Sequence, residues 1–263
     1  MLEIVDINIG TRRKKILLDF SIALEKGKII GLTGRSGAGK TTIIKAVMGF
    51  LSKECKISSG NIYIDGKNLI ELEKKDHRNL CGTTIGYIPQ SPMTSFDPRL
   101  KIGAQMEETF RVKLKLSKKE AVNLTIETLE AVNLADTKRI INAVPSELSG
   151  GMLQRVAMAI LIGMKPKYIF ADEPTSSLDP ENRQLMLELL LRHCSDAGIL
   201  FVSHDVEALK NICTTVAVLD EGHIVEVDTM ENLLSKPREE WTKGFSSCYK
   251  NMGEEELCWM ELG

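Results

Sequence analysis

The sequence predicts an α/β fold: a mostly parallel sheet with helices on both sides, an antiparallel β-layer and an inserted α-helical subdomain. Three observations predict this fold. Short apolar strands alternate with helical segments, as around 28–32, 168–173 and 199–203. Near the N-terminus, strand patterns follow one another without helices between them. From residue 91 to about 148, helical patterns dominate.

A glycine-rich loop follows the apolar strand at 28–32. It fits G-x-x-x-x-G-K-[ST] and extends one residue further, through Gly34, Arg35, Ser36, Gly37, Ala38, Gly39, Lys40, Thr41 and Thr42. The segment 41–51 then carries apolar residues at helical spacing. Because free N–H groups at a helix N-terminus converge on an anion, this strand, loop and helix predict a phosphate cradle.

In such a cradle, Lys40 is expected to reach the β- and γ-phosphates, and the Thr41 hydroxyl is expected to bind Mg²⁺. The alternative is a chance glycine-rich turn before an ordinary helix. That alternative does not account for all eight motif positions in a strand–loop–helix context. The sequence therefore predicts a nucleoside triphosphate site in an α/β core of the P-loop type.

Composition excludes several classes of protein. At 263 residues the chain suits one large domain or one domain with an inserted subdomain, and its net charge of −2 gives no electrostatic case for binding nucleic acid. No apolar run approaches the roughly 20 residues of a membrane span, and residues 1–4 lack the pattern of a signal peptide. The six cysteines form no C-x-x-C pair, which predicts buried thiols in the cytoplasm; zinc binding by Cys248 and Cys258 is the alternative.

The N-terminal β-layer is predicted from strands at 2–9, 16–24 and 60–65. Asp65 and Gly66 form a dipeptide typical of hairpin turns. The basic run 12–15 is either a solvated turn or a border of the nucleotide site.

Gln90 ends the predicted strand 84–89, where α/β folds place groups that contact ligands. Turn-rich sequence follows, and then helices at 102–114 and from the capping box at Ser117 to about 132. We predict that residues 91–148 form the helical insertion, which reaches about residue 165 when the next helix is included.

Two adjacent acids, Asp172 and Glu173, close the apolar strand 168–173. Adjacent buried carboxylates are costly unless a cation faces them, so this pair predicts a functional site. Asp172 is expected to hold Mg²⁺ through water, and Glu173 suits a general base for the attacking water. His204 ends the next strand, 199–203, and is expected to contact the γ-phosphate; the alternative is a structural histidine.

Further along the chain, Ser149, Gly150 and Gly151 open an apolar helix to Met164, and their free N–H groups predict a second anion site. Asp179 before Pro180 predicts another helix start. The last predicted strands are 214–219 and 223–227.

Six motifs in this order resemble the ATP-binding cassette (ABC) ATPase family over residues 1 to about 235. They are the Walker A loop (34–41), the Q-loop Gln90, the signature Leu-Ser-Gly-Gly-Met (148–152), the Walker B pair Asp172 and Glu173, the D-loop (176–179) and the switch His204. The resemblance implies ATP and Mg²⁺ as cofactors, with Thr41, Gln90 and Asp172 at the metal. It also implies that Gln90 joins Glu173 and His204 in catalysis, and that Ser149, Gly150 and Gly151 meet ATP bound by the other subunit of a head-to-tail dimer. Asp179 of the D-loop is a further expected ATP-binding residue.

Two departures from the family pattern are informative. Met152 replaces the usual glutamine, and with the segments 90–98 and 237–245 it resembles the branch that energises uptake of peptides and nickel. The adenine-stacking aromatic expected near 9–13 is missing, so Arg12 or Arg13 is expected to stack on the base instead. The tail, 236–263, is short, as in the nickel-uptake members, and has too few cysteines for an iron–sulfur site.

The resemblance therefore implies the ATPase subunit of an importer of nickel, a metal chelate or peptides, peripheral at the cytoplasmic face of the membrane. Its expected partners are a second ATPase (related or identical), two transmembrane permeases and, indirectly, an extracytoplasmic solute-binding protein. Met93, Phe96 and Leu100 are candidate permease contacts or core residues. One alternative is a soluble ABC ATPase acting on DNA or ribosomes, but the long coiled-coil insertion or second cassette of such proteins is not found in this sequence. The other alternative is a P-loop kinase, which does not explain the signature.

Overall fold

Strands and helices alternate along most of the chain. The structure is a computed structural model that describes residues 1–252. The strands are β1 (Leu2–Gly10), β2 (Lys15–Leu24), β3 (Ile29–Gly34), β4 (Lys56–Ile64), β5 (Lys67–Asn68), β6 (Ile85–Ile88), β7 (Tyr168–Asp172), β8 (Gly198–Val202), β9 (Thr215–Asp220) and β10 (His223–Asp228). The helices are α1 (Lys40–Met48), α2 (Lys74–Leu80), α3 (Ile102–Leu114), α4 (Lys118–Ala131), α5 (Thr137–Asn142), α6 (Gly150–Met164), α7 (Pro180–His193), α8 (Val206–Ile212), α9 (Met230–Ser235) and α10 (Glu240–Met252).

The chain divides into two compact units. The first comprises residues 1–78 and the segment from Gly198 onward, and the second comprises Asn79–Ala197. These units do not test the predicted boundaries at 91–165 and 235/236, which stay predictions. Within the described residues, no helix is both long and apolar enough to cross a membrane.

The first unit contains the predicted antiparallel layer, in the strand order β2-β1-β4-β5. Its β4–β5 hairpin turns at Asp65 and Gly66, whose φ angles of 49° and 80° are both positive, as a two-residue turn of this kind requires. The same unit holds β3 between β8 and β9 in parallel pairing, and β10 antiparallel to β9. The parallel strands and the antiparallel layer confirm the predicted α/β fold class.

The second unit is largely helical. β6 and β7 pair in parallel, and α3, α4 and α6 pack against one another. The closeness of α6 to α3 depends on Gly163, where a Cβ would come within 2.6 Å of the Phe110 ring. Ser117 caps α4 in a full capping box with Glu120, as predicted.

Two predicted boundaries are wrong for identifiable reasons. α1 ends at Met48, three residues early, because Gly49 adopts a φ of 72° and returns its N–H to the Ala46 carbonyl. β4 begins at Lys56 and not at Gly60, because Gly60 forms an irregularity inside the strand, opposite Asp6. The helices α2, α8, α9 and α10 were not predicted, and α5 was covered only by the predicted helical insertion.

The cysteine prediction holds in part. Among residues 1–252 all cysteines are free thiols. Cys194 is buried, but Cys55, Cys81, Cys213 and Cys248 are only half-buried. Burial raises the pKa of Cys194 and of Cys213 to about 12. The alternative zinc site with Cys258 involves a residue outside the described part of the chain.

Candidate nucleotide site

The glycine-rich loop links β3 to α1 in the first unit. A Cβ on Gly34 would come within 1.9 Å of the Leu219 carbonyl oxygen, and one on Gly39 within 2.6 Å of the Leu17 side chain. Both residues also have φ above 110°. Only glycine fits these two positions, whereas Gly37 between them faces open space. The sequence therefore forms a tight loop with an open inner side.

Lys40 lies inside the curve of this loop. Its Nζ donates to the Gly34 carbonyl over 2.6 Å and to the Arg35 carbonyl over 2.9 Å, and the residue is 7% exposed. An ammonium group held in this way places positive charge beside the N–H groups at the start of α1. The loop can therefore bind a polyphosphate.

Arg35 joins the loop to the turn after β9. Its Nε lies 3.3 Å from a carboxylate oxygen of Asp220, and its Nη1 lies 4.0 Å from one of Glu221. The Arg35 side chain is 44% exposed, so these ion pairs orient the loop more than they stabilise the fold.

His204 lies at the same sheet edge as the loop. β3 and β8 are parallel, with Leu32 opposite Val202. Gly34 ends β3 two residues later, and His204 follows the last residue of β8 by two residues. The half-buried imidazole follows Ser203, whose hydroxyl accepts the N–H of Asp205 over 3.0 Å. The first unit thus brings the predicted Walker A loop and switch histidine to one edge.

A cavity of about 1080 Å³ adjoins the loop in the first unit. Leu17 lines this cavity, and the same side chain packs against Gly39 of the loop. It is lined by Asn8, Ile9, Gly10, Thr11, Arg12, Arg13, Lys15, Leu17, Leu18, Lys53, Glu54, Lys56, Ser58 and Ser59. No aromatic residue belongs to this lining, which is mainly cationic and polar.

The predicted Walker B acids lie in the second unit. All five residues of β7 are buried, and Asp172 at its end is 5% exposed. Glu173 follows with a φ of 47°, a conformation uncommon for a residue with a side chain. Its carbonyl accepts the Ser176 hydroxyl over 3.1 Å and the Ser176 N–H over 3.3 Å. Burial, with the charge of Asp172, raises the pKa of Tyr87 to about 12.

Gln90 comes two residues after β6, beside the acids. Ile88 of β6 pairs with Ala171 of β7, so the residues that follow the two strands leave the same edge. Gln90 is exposed.

Sequence reasoning missed Gln154. This α6 residue is 1% exposed and donates to the Pro174 carbonyl over 2.9 Å and to the Pro89 carbonyl over 3.4 Å. A polar residue on the buried side of an apolar helix was the available signal.

The predicted second anion site is the start of α6. Ser149 is its N-cap and accepts the Met152 N–H over 3.3 Å. Ser149 and Gly150 are exposed, and a Cβ on Gly150 would meet no atom within 4 Å. The 15 residues of α6 thus direct an open N-terminus to solvent.

Asp179 caps α7 near this helix start. Its carboxylate accepts hydrogen bonds from the Asn182 backbone N–H over 2.9 Å and from the Asn182 side-chain amide over 2.7 Å. These hydrogen bonds, the backbone one most strongly, lower the pKa of Asp179. The Asn182 side chain also lies 3.3 Å from where a Cβ on Gly151 would be. Asn182 therefore lies beside both the predicted D-loop and the predicted signature.

Together, the β3–loop–α1 geometry and the parallel strands define a P-loop nucleotide-binding protein of the α/β class. The family model described as ABC transporter matches residues 17–176, and the chain belongs to this family. It is accordingly an ATP-binding protein that hydrolyses ATP.

Several curated proteins are similar over most of the chain. The oligopeptide transport ATP-binding protein OppD of Bacillus subtilis is 36% identical over 240 residues, covering 89% of this chain and 67% of OppD. The metal-staphylopine import system ATP-binding protein CntD of Staphylococcus aureus is 34% identical over 241 residues, covering 91% of this chain and 89% of CntD. The dipeptide transport ATP-binding protein DppD of Lactococcus lactis is 34% identical over 88% of this chain and 67% of DppD.

Solved structures support the fold. The ATP-binding cassette MJ0796, in a dimeric post-hydrolysis state with ADP and Pi, superimposes with a TM-score of 0.76 at 23% identity, over 88% of this chain and 99% of that one. An ATP-binding subunit of an ABC transporter gives a TM-score of 0.75 at 24% identity, over 93% of this chain and 97% of that one.

Proposed function

We propose that this protein is the ATP-hydrolysing subunit of a membrane importer for nickel, a metal chelate, dipeptides or oligopeptides. One observation carries the proposal: relatives named for oligopeptide, dipeptide and metal-staphylopine transport match about nine tenths of the chain at 34–36% identity. Met152, in the signature at the start of α6, supports the same branch.

The phosphates of ATP bind to the loop between β3 and α1. The tight, open loop and the buried Lys40 ammonium support this assignment. The proposed ligands are Gly34, Arg35, Ser36, Gly37, Ala38, Gly39, Lys40, Thr41 and Thr42. The base occupies the adjoining cavity, where the guanidinium of Arg12 or Arg13 replaces the missing aromatic.

Hydrolysis uses residues from the ends of parallel strands. Glu173 accepts a proton from the water that attacks the γ-phosphorus, the bond to the β-phosphate oxygen breaks, and ADP and phosphate leave. His204 donates a hydrogen bond to the γ-phosphate, and Gln90 orients the water. The strained backbone of Glu173 supports its role, because such conformations cluster at functional sites.

The donor set fits Mg²⁺. Thr41, Gln90 and Asp172 offer a hydroxyl, an amide oxygen and one carboxylate, all hard oxygen donors. Within residues 1–252 no three His, Cys, Asp or Glu side chains cluster as a metal site. When bound, the ion neutralises charge on the β- and γ-phosphates.

ATP is shared between two subunits arranged head to tail. The exposed N-terminus of α6 supports this arrangement, because Ser149, Gly150 and Gly151 there can bind the phosphates of a neighbour's ATP. Asp179, which accepts a hydrogen bond from the Asn182 side chain, is proposed as a further ATP-binding residue. The second subunit is a related ATPase or a second copy of this chain. The two subunits close on ATP and open after hydrolysis, and this movement drives transport.

The subunit docks on two permeases at the cytoplasmic face of the membrane, and a solute-binding protein delivers the cargo from outside. Met93 and Leu100, 47% and 45% exposed, support a docking surface after Gln90. Phe96 is 8% exposed and supports that segment from within.

The test is to isolate the protein from native membranes in mild detergent and identify what accompanies it. Two permeases, a second ATPase and a solute-binding protein are expected. That binding protein is then titrated with Ni²⁺, a metal chelate, dipeptides and oligopeptides to name the cargo. Recovery with nucleic acid or ribosomes in the soluble fraction would overturn the importer. Met93→Asp should release the permeases, whereas Val112→Asp, at a residue 68% exposed on α3, serves as the matched control.

A further inference from the structure

Gln154 is a buried amide whose orientation is set by its neighbours. Two carbonyl oxygens face it, those of Pro174 and Pro89, at 2.9 Å and 3.4 Å. Because a carbonyl only accepts hydrogen bonds, the NH₂ end of the amide must point at them. The Oε1 end is buried without a hydrogen-bond partner among the described residues. An unsatisfied buried oxygen lowers stability. We therefore look for the role of this glutamine in the hydrogen bonds that its NH₂ group donates.

The two carbonyls belong to loops that carry proposed catalytic residues. Pro89 follows β6 and precedes Gln90, and Pro174 directly follows Glu173. Since β6 and β7 are neighbouring parallel strands, both loops leave the same edge, and Gln154 links them by one side chain. Gln154 itself lies on α6, five residues after its N-cap Ser149.

We propose that Gln154 is a positioning residue for ATP hydrolysis, which holds the Gln90 loop and the Glu173 loop at a fixed separation. The proposal rests on the proposed roles of Gln90 and Glu173. Glu173 has a φ of 47°, so its conformation depends on surrounding contacts, and the carbonyl of the next residue is one of the two that Gln154 binds. The same amide connects the signature helix to both loops.

The test is Gln154→Met, which keeps the side-chain volume and removes the donor. We expect kcat for ATP to fall roughly tenfold or more, because small displacements of catalytic groups are costly in rate. KM for ATP should stay within about twofold, since the phosphate loop is untouched. Gln184→Met, at an exposed glutamine of α7, is the matched control and should behave as wild type.

A double-mutant cycle separates positioning from packing. In a Gln90→Ala background, Gln154→Met should lower kcat by a smaller factor than in the wild-type background, because one of the groups that it positions is gone. A folded Gln154→Met protein with wild-type kcat would overturn the proposal. So would a double variant whose loss of kcat equals the product of the losses in the two single variants, because the two residues would then act independently. If Gln154→Met and Gln154→Leu both fail to fold, Gln154 is a packing residue and the proposal is equally overturned.

Glu173→Gln is assayed in parallel to keep the two proposals distinguishable. Wild-type turnover in Glu173→Gln would remove the proposed base. Loss of turnover in Glu173→Gln together with normal turnover in Gln154→Met would leave the proposed function intact and refute only the role of Gln154.

Discussion

Glu173 combines three features at one residue. It follows a fully buried strand, it has a positive φ, and its carbonyl is held by both polar groups of Ser176. A single Glu in this conformation needs such contacts, because its Cβ disfavours the left-handed region. The carboxylate is thus presented from a preset backbone.

Glu173→Gln should therefore bind ATP, lose most turnover and accumulate as a nucleotide-bound dimer. The amide keeps the shape of the side chain but cannot accept the proton of the attacking water, and loss of a general base typically costs about 10²–10⁴-fold in rate. Phosphate release and size-exclusion chromatography with ATP measure both effects. Glu130→Gln, at an exposed position of α4, is the control. Normal turnover in Glu173→Gln would remove this residue as the base.

At the scale of the element, the start of α6 has two separable properties. Ser149 caps the helix through the Met152 N–H, and the exposed N–H groups beyond it form the proposed anion site. Capping is a local contribution to stability, whereas anion binding would act on the ATP of another subunit.

Ser149→Arg and Ser149→Ala distinguish these properties. Ser149→Arg should abolish hydrolysis, because a large side chain fills the space in front of the helix, and should leave ATP binding to the isolated subunit largely intact. Ser149→Ala removes only the cap and should lower the free energy of unfolding by about 1 kcal/mol. Nucleotide titration and steady-state hydrolysis are the measurements. Equal loss of binding and hydrolysis in Ser149→Arg would argue against a role toward the other subunit.

At the scale of the whole molecule, one buried carboxylate ties the C-terminal segment to β10. Glu226 is 5% exposed and accepts the Arg238 Nε over 3.1 Å and the Glu239 N–H over 3.2 Å. Burial alone would raise the pKa of Glu226, but hydrogen bonds from the Glu239 N–H and from the side chain and N–H of Arg238 outweigh it and lower the pKa. Trp241 and Phe245 stack nearby in α10, with ring centroids 5.1 Å apart.

This carboxylate predicts an acid-dependent loss of stability. Because the pKa is lower in the folded state, ionised Glu226 stabilises the protein above its ordinary pKa of 4.5, and this contribution is lost as the pH falls through the folded-state value. At pH 7, Glu226→Gln should lower the free energy of unfolding by about 1.5–3 kcal/mol. Melting temperatures at pH 7, 5 and below 4 should show the difference from wild type shrinking in acid. A difference that is constant with pH would contradict the prediction; Glu130→Gln is again the control.

Local signals predicted much of the fold. The Asp65–Gly66 turn, the capping box at Ser117 and the cap Asp179 before Pro180 each depend on a few consecutive residues, and the structure confirms them. The Walker A loop is predictable for the same reason. Features that depend on residues far apart in the sequence were missed. Gly60 marks a bulge only because Asp6 lies opposite, and Gln154 donates to a carbonyl 65 residues away.

The raised thiol pKa values have a consequence for chemical labelling. Maleimides and similar reagents attack the thiolate, which is scarce near neutral pH at Cys194 and Cys213, where burial raises the pKa to about 12. Those two residues can therefore remain in place when a fluorophore or spin label is attached. A reporter cysteine introduced beside the exposed Ser149 would then require the removal of fewer native thiols, and its signal would test directly for the proposed approach of a second subunit.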